Sequence, residues 1–358
     1  MDAMAAVDSN IARGWNAYHR LELDEAQRAF QDAIREDAGA FEGHYGLART
    51  LIRMRREDQA RTEVERCLEL EPARFESQAV AVLFYFLVDA LDEALNALQK
   101  AIELAPDAVE PQVVIAQVYA DRGAFGDAEA AIERAHELVG ALSNDTNQRR
   151  EHASLLHAET YVALTAGRED DARAKAEDAL QYADANPHAV CLANTNLGLM
   201  AARRRRWDQA VAYLEAALEL NPAFYRARGA LGRVHLVAGR PAEAADALAI
   251  ALEQTPHPEA HTVMAYASAL GKTGRREEAV AQYRRALTLQ PRWLERVYAW
   301  WQIVWQSRWG RIAVIVGGGL ALLLWLGLGK PSPQAVTLVL LVVVVLVLQR
   351  SMAGKRPR

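Results

Sequence analysis

The chain has 358 residues, 46 acidic and 41 basic, and the average hides a division between its two ends. Residues 1–295 hold all 46 acidic side chains and 33 of the basic ones, a net of −13, while the last 63 residues carry +8. An acidic body excludes a protein that coats nucleic acid, since basic side chains are what displace counterions from phosphates; a basic, apolar tail points to a bilayer instead.

The N-terminus, "MDAMAAVDSN", has two aspartates and neither a basic nor an apolar region, so it does not read as a secretory signal. Cys67 and Cys191 are too few and too far apart for a disulfide framework or a metal site, and read as reduced, structural thiols. From there one phrase recurs. "LDEAQRAFQDAI" (23–34), "LDEALNALQKAI" (91–102), "WDQAVAYLEAAL" (207–218) and "REEAVAQYRRAL" (276–287) are versions of it. Its central alanine falls at Ala26, Ala60, Ala94 and Ala128 in strict phase of 34, then at Ala172, Ala210, Ala244 and Ala279 after insertions of ten, four and one residues.

Each unit reads as two amphipathic helices. Small residues at places 8, 20 and 27 allow close helix approach, a large apolar residue at place 24 fills the space toward the next unit, and proline at place 32 ends the second helix. Gly198, Ala210, Leu214, Ala217 and Pro222 show the pattern in the sixth unit. On these residues the chain resembles the tetratricopeptide repeat family over residues 7–293. The resemblance implies a superhelical solenoid whose first helices line a concave groove.

In that family places 2, 5, 9, 12 and 13 face the groove. This marks Trp15, Tyr45, Arg49, Arg53, Leu83, Phe86, Tyr161, Leu199 and Arg233 as partner-binding candidates. Aromatic rings and arginines make good interface anchors, though in a solenoid many of them also pack between helices. Place 2 in the first four units is Asp8, Glu42, Glu76 and Glu110, an acidic rim that either attracts a basic partner or complements the helix dipoles. The lysine and asparagine with which some family members hold a peptide C-terminus are missing at places 5 and 9. The array changes character at "SNDTNQRREH" (143–152). "RRRR" (203–206) and "GKTG" (271–274) fall in turns between helices, and the second lacks the glycine that a phosphate loop needs. No cofactor, metal site or catalytic motif emerges, so an enzyme is not expected.

Beyond the repeats, residues 294–311 read as an amphipathic helix rich in tryptophan, either capping the solenoid or lying at a membrane interface through Trp300, Trp301, Trp305, Trp309, Arg308 and Arg311. Residues 312–329 carry no charge and are long enough, at about 27 Å, for a membrane span. A turn at 330–334 and a second apolar run at 335–349 complete a hairpin, with a basic tail at 350–358. The sequence therefore predicts an all-α chain: a TPR superhelical solenoid of about eight helix-turn-helix repeats, starting near 7, 41, 75, 109, 153, 191, 225 and 260, followed by two transmembrane helices. The expected function is a membrane-anchored scaffold that recruits protein or peptide partners, not nucleic acid, to the lipid bilayer. Its alternative is an assembly subunit of a membrane-protein complex, engaged through the hairpin. Both place the solenoid and the C-terminus in the cytoplasm, at a bacterial inner membrane.

Overall fold

The computed structural model describes residues 3–255 and 258–307, which form seventeen α-helices and no strand. They divide into two compact units, with the boundary between Ala227 and Arg228. The first unit is built of helix pairs: α1 (Ala3–His19) with α2 (Leu23–Glu36), α3 (Phe41–Arg53) with α4 (Glu57–Leu70), α5 (Phe75–Leu87) with α6 (Leu91–Leu104), and α7 (Val109–Asp121) with α8 (Phe125–Ala141). Then come α9 (Asp145–Thr165) with α10 (Glu169–Ala179), and α11 (Pro187–Arg203) with α12 (Trp207–Leu220). After α13 (Tyr225–Val237), the second unit continues through α14 (Pro241–Gln254), α15 (Ala260–Lys272), α16 (Arg276–Thr288) and α17 (Trp293–Gln306).

Small residues at place 8 let the two helices of a pair close around the large residue at place 24. A Cβ added to Gly14 would stand 2.6 Å from the Phe30 ring, one added to Gly198 would stand 2.7 Å from Leu214, and one added to Gly232 would stand 2.5 Å from Leu248. Phe30, Leu214 and Leu248 are fully buried, and each such side chain contributes about 1.5–3 kcal/mol by leaving water. Phe30 also fills the hollow over Gly46 of the following pair, so one side chain joins two repeats. Departures from the pattern are accommodated. Val82 is buried, Thr160 satisfies its hydroxyl by donating to the Leu156 carbonyl at 2.8 Å, and Cys67 is a fully buried free thiol at a helix contact.

The turn inside each pair has a fixed shape. Place 15 adopts positive φ in all eight repeats, at Leu21, Arg55, Asp89, Gly123, Gly167, Arg205, Gly239 and Gly274. That conformation brings the amide of place 16 back onto the first helix, as where Arg206 N donates to the Ala201 carbonyl at 2.9 Å and Arg275 N to the Leu270 carbonyl at 2.9 Å. "RRRR" and "GKTG" are two of these turns. All four arginines of 203–206 are exposed, and Arg204 pairs with Asp170 at 2.8 Å.

Within the first unit, successive first helices touch one another: α1 with α3, α3 with α5, α5 with α7, α7 with α9 and α9 with α11. The second helices have no comparable contacts among themselves, so the first helices form the inner, shorter layer. The two longer insertions fold into this layer as added helical turns. α3, α5 and α7 have 13 residues each, whereas α9 has 21 and α11 has 17. Both lengthened helices begin with an asparagine cap, in which Asn144 Oδ1 accepts from Asn147 N at 3.0 Å and Asn186 Oδ1 from Ala189 N at 3.1 Å.

In the second unit, α17 lies on α15 and α16 through Ala299, Ile303 and Val304, all buried. The solenoid end is thus covered by the small and aliphatic residues of this helix, while its tryptophans face outward. No described helix is long and apolar enough to cross a membrane. α9 has the length but carries Asp145, Arg149, Arg150, Glu151 and Glu159. α17 is apolar, but its 14 residues reach only about 21 Å against a hydrocarbon core of about 30 Å. The two-span membrane localisation expected from the tail is corrected accordingly. The runs 312–329 and 335–349, with Arg308, Trp309 and Arg311 before them, lie outside the described residues.

The packing makes contrasting glycines informative. Gly46→Ala drives a methyl to within 2.3 Å of the Phe30 ring and is expected to cost about 1–3 kcal/mol. Gly140→Ala, near the end of α8 with nothing within 4 Å, should stabilise by up to about 1 kcal/mol. Urea unfolding of the two variants checks this, and equal effects would contradict the packing described.

Candidate functional site

The residues that sequence reasoning placed on the groove lie on inner helices of the first unit, save Arg233 on α13, and divide into three kinds. Trp15 and Tyr45 belong to the packing. Trp15 lies 5.2 Å from the Phe30 ring and 5.6 Å from Tyr45, both centroid to centroid, and Tyr45 is buried. Leu83, Phe86, Tyr161 and Leu199, on α5, α9 and α11, are half-buried and retain accessible apolar surface. Arg49, Arg53 and, in the second unit, Arg233 bring charge; Arg233 is held below its usual pKa by burial, offset in part by Glu259.

Arg49 and Arg53 stand one turn apart on α3 and have different surroundings. Arg49 grips Glu110 of α7 with both terminal nitrogens, at 2.7 and 3.1 Å, and donates to the Tyr45 hydroxyl at 2.8 Å. Burial opposes the charge on Arg49, but Glu110 and the neighbouring tyrosines outweigh it and hold its pKa above the usual value. Arg53 has no such carboxylate. Its guanidinium sits 3.8 Å over the Tyr18 ring and donates to the Tyr18 carbonyl at 3.3 Å, and burial lowers its pKa.

The rim acids are mostly engaged. Arg74 bridges Glu42 and Glu76, bonding the latter at 3.0 Å, and so ties the second repeat to the third. Glu110 is committed to Arg49, and Asp8 alone is exposed with no ion pair among the described residues. Tyr161 donates to Asp121 at 2.6 Å. Trp300, Trp301 and Trp305 on α17 are 40, 46 and 42 % exposed, and the last two stack with centroids 6.2 Å apart.

Sequence reasoning missed the most perturbed groups of the inner layer. Arg150 and Glu151 come from the ten-residue insertion, His188 from the four-residue one, and His157 and Arg226 from neighbouring first-helix positions. His157 is pushed down to about 4 by burial and by the Arg226 charge. His19 is likewise pushed down to about 4 by its protein surroundings and then by Arg150, Arg53 and Arg49. His188 lies well below its usual range through burial, Arg53, His157 and Arg226. Glu151 is raised to about 7 by burial and by Glu110, against the pull of Arg49 and Arg150. The only sequence signal for this cluster was a polar insertion beginning with an N-cap residue.

Comparisons with known proteins follow this geometry. Two sequence models of the tetratricopeptide repeat match, one at residues 22–81 and 201–267 and the other at 260–292. Among curated proteins no sequence matches the chain. Among solved structures, the APC/C hetero-tetramer Cut9–Hcn1 is similar at a TM-score of 0.61 and 13% identity, over 84% of this chain. The chain spans 55% of the length of that protein. An IFIT1 monomeric mutant with Gppp-AAAA is similar at 0.60 and 18% identity, over 96% of this chain and 80% of that one. The human IFIT1 dimer with PPP-AAAA is similar at 0.59 and 18%, over 96% and 82%.

Glu151 gives a signed pH test. Its folded pKa of about 7 lies above the ordinary 4.5, so the native state holds a proton that the unfolded chain has released, and stability falls as pH rises through that window. Glu151→Gln removes the effect and leaves the histidines as they are. Relative to the parent, the variant should gain on the order of 1 kcal/mol between pH 4.5 and 7 in parallel thermal melts. A difference that does not change with pH would refute the assignment. The chain therefore carries tetratricopeptide repeats, and its likeness to these solved structures is one of fold.

Proposed function

We propose that this chain is a non-enzymatic interaction scaffold that binds a protein or peptide partner along the inner face of its first unit. The observation that carries the reading is the composition of that face. Half-buried Leu83, Phe86, Tyr161 and Leu199 leave apolar surface accessible on the first helices, and Arg53 of the same layer has no carboxylate partner, its guanidinium resting on Tyr18. Aromatic and guanidinium groups in a concave, well-ordered setting are the side chains from which interface anchors are made. Stacked repeats also offer an extended groove rather than a closed pocket, which suits a peptide.

A nucleic-acid partner is disfavoured. The IFIT1 structures hold capped or triphosphorylated oligoadenylates, but residues 1–295 of this chain have a net charge of −13 and so lack the overall basic excess whose counterion release holds a long phosphate backbone. Photoreactive residues at Phe86 and Leu199, set against one at Lys100 on the outer helix α6, test the proposal in cell extracts. The same protein should be captured at both inner positions and not at the outer one. Equal capture at Lys100, or none at the inner positions, would reject the inner face as the binding surface.

A further inference from the structure

The inner layer of the first unit carries a set of arginines that its own carboxylates only partly engage. Four arginines belong to it, from two helices and the start of a third: Arg49 and Arg53 on α3, Arg150 on α9 and the exposed Arg226 at the beginning of α13. Glu110 takes Arg49. Among the described residues no carboxylate lies within ion-pair distance of Arg53, Arg150 or Arg226. Arg150 Nε and His157 Nδ1 are both buried without a hydrogen-bond partner.

The same arginines bear on two histidines of this layer. Arg53 and Arg226 both act on His188, and Arg150 and Arg53 both act on His19. Arg53, His157 and His188 keep partial contact with solvent while the protein around them strips much of their hydration; Arg150 is half-buried and Arg226 exposed. A cleft of one charge sign with low-dielectric walls concentrates its field on whatever enters. Unpaired guanidinium groups in such a place are costly unless an anion completes them, and their planar forks match carboxylates in bidentate fashion.

We infer that the inner face of the first unit binds an internal acidic segment of its partner, whose Asp and Glu side chains pair with Arg53, Arg150 and Arg226. This rests on the scaffold reading above and adds the partner's chemistry to it. The two insertions acquire a purpose: the extra turns of α9 and α11 carry Arg150 and His188 into the inner layer, where an uninterrupted 34-residue phase would have no residue. An extended peptide fits better than a single compact anion because the cations come from separated helices. Neutral His188, on which both Arg53 and Arg226 act, then serves as a reporter. A carboxylate arriving beside it offsets the cations that keep it deprotonated.

The test uses the full chain and a labelled dodecapeptide alternating Asp, Glu and Leu, amidated at its C-terminus so that only side-chain carboxylates are offered. Its Asn and Gln isostere and a triphosphorylated oligoadenylate serve as comparisons. By fluorescence anisotropy, the isostere should bind at least about tenfold more weakly. Arg226→Gln and Arg150→Gln should each weaken the acidic peptide by about tenfold, with unchanged unfolding midpoints. By NMR, the His188 ring should titrate about one pH unit higher with the peptide bound. Equal binding of the isostere, an unmoved His188, or preference for the oligoadenylate overturns the inference. If the acidic peptide fails while one protein is still captured at Phe86 and Leu199, the acidic segment is rejected and the scaffold stands; if both fail, both are rejected.

Discussion

The contact between a small residue in the first helix of a repeat and a large apolar one in the second governs the rest of the molecule. Where glycine takes the small place, the backbone of the first helix lies directly against Phe30, Leu214 or Leu248. The helix pair is then closed so tightly that its outer surfaces are fixed in relation to each other. Phe30 extends the effect by reaching over Gly46 of the next repeat, which sets the stacking as well as the pair. Close packing of this kind transmits position from one unit to the next. Because the first helices touch in succession and the second helices do not, the inner face is the denser layer, and side chains leaving it have little room.

That crowding is what gives the inner polar groups their character. Arg49 and Glu110, 61 residues apart in sequence, meet across the layer and satisfy each other. Breaking such a buried pair costs far more than forming it contributes, because the group left behind keeps its charge without water. Arg53, Arg150 and Arg226 lack this partner, and their charges add to burial, the larger cause, in keeping the neighbouring histidines deprotonated. The face therefore has a paired part and an unpaired part. A surface evolved only for folding would be expected to neutralise both.

Much of the fold could be read from the sequence, because its information is periodic. The recurring alanine at place 20 and small residue at 8, with proline at 32 in most units, pointed to an all-α solenoid of paired helices, which is the fold found, and "RRRR" and "GKTG" fell at turns between helices. The left-handed place 15 was less legible, since Leu21, Arg55, Asp89 and Arg205 hold a conformation that glycine would advertise. The insertions misled most: "SNDTNQRREH" has no apolar rhythm, yet it lengthens α9. The groove residues taken from the family positions lie on the inner helices, but Trp15 and Tyr45 turn inward to the core. The most perturbed groups, His157, His188 and Glu151, were missed because desolvation depends on helices far away in sequence. The tail was read from apolar length, basic flanks and interfacial tryptophans, and the capping helix it included turns its aliphatic side, rather than its tryptophans, toward the repeats.

The account's central claim is that binding occurs on the inner layer of the first unit. Hydrogen exchange of the full chain, with and without the protein captured from the inner face, tests it most directly. Slowed exchange should concentrate in α3, α5, α9 and α11, and the outer helices α6 and α10 should be unchanged. Protection confined to the outer helices, or to α17, would contradict it.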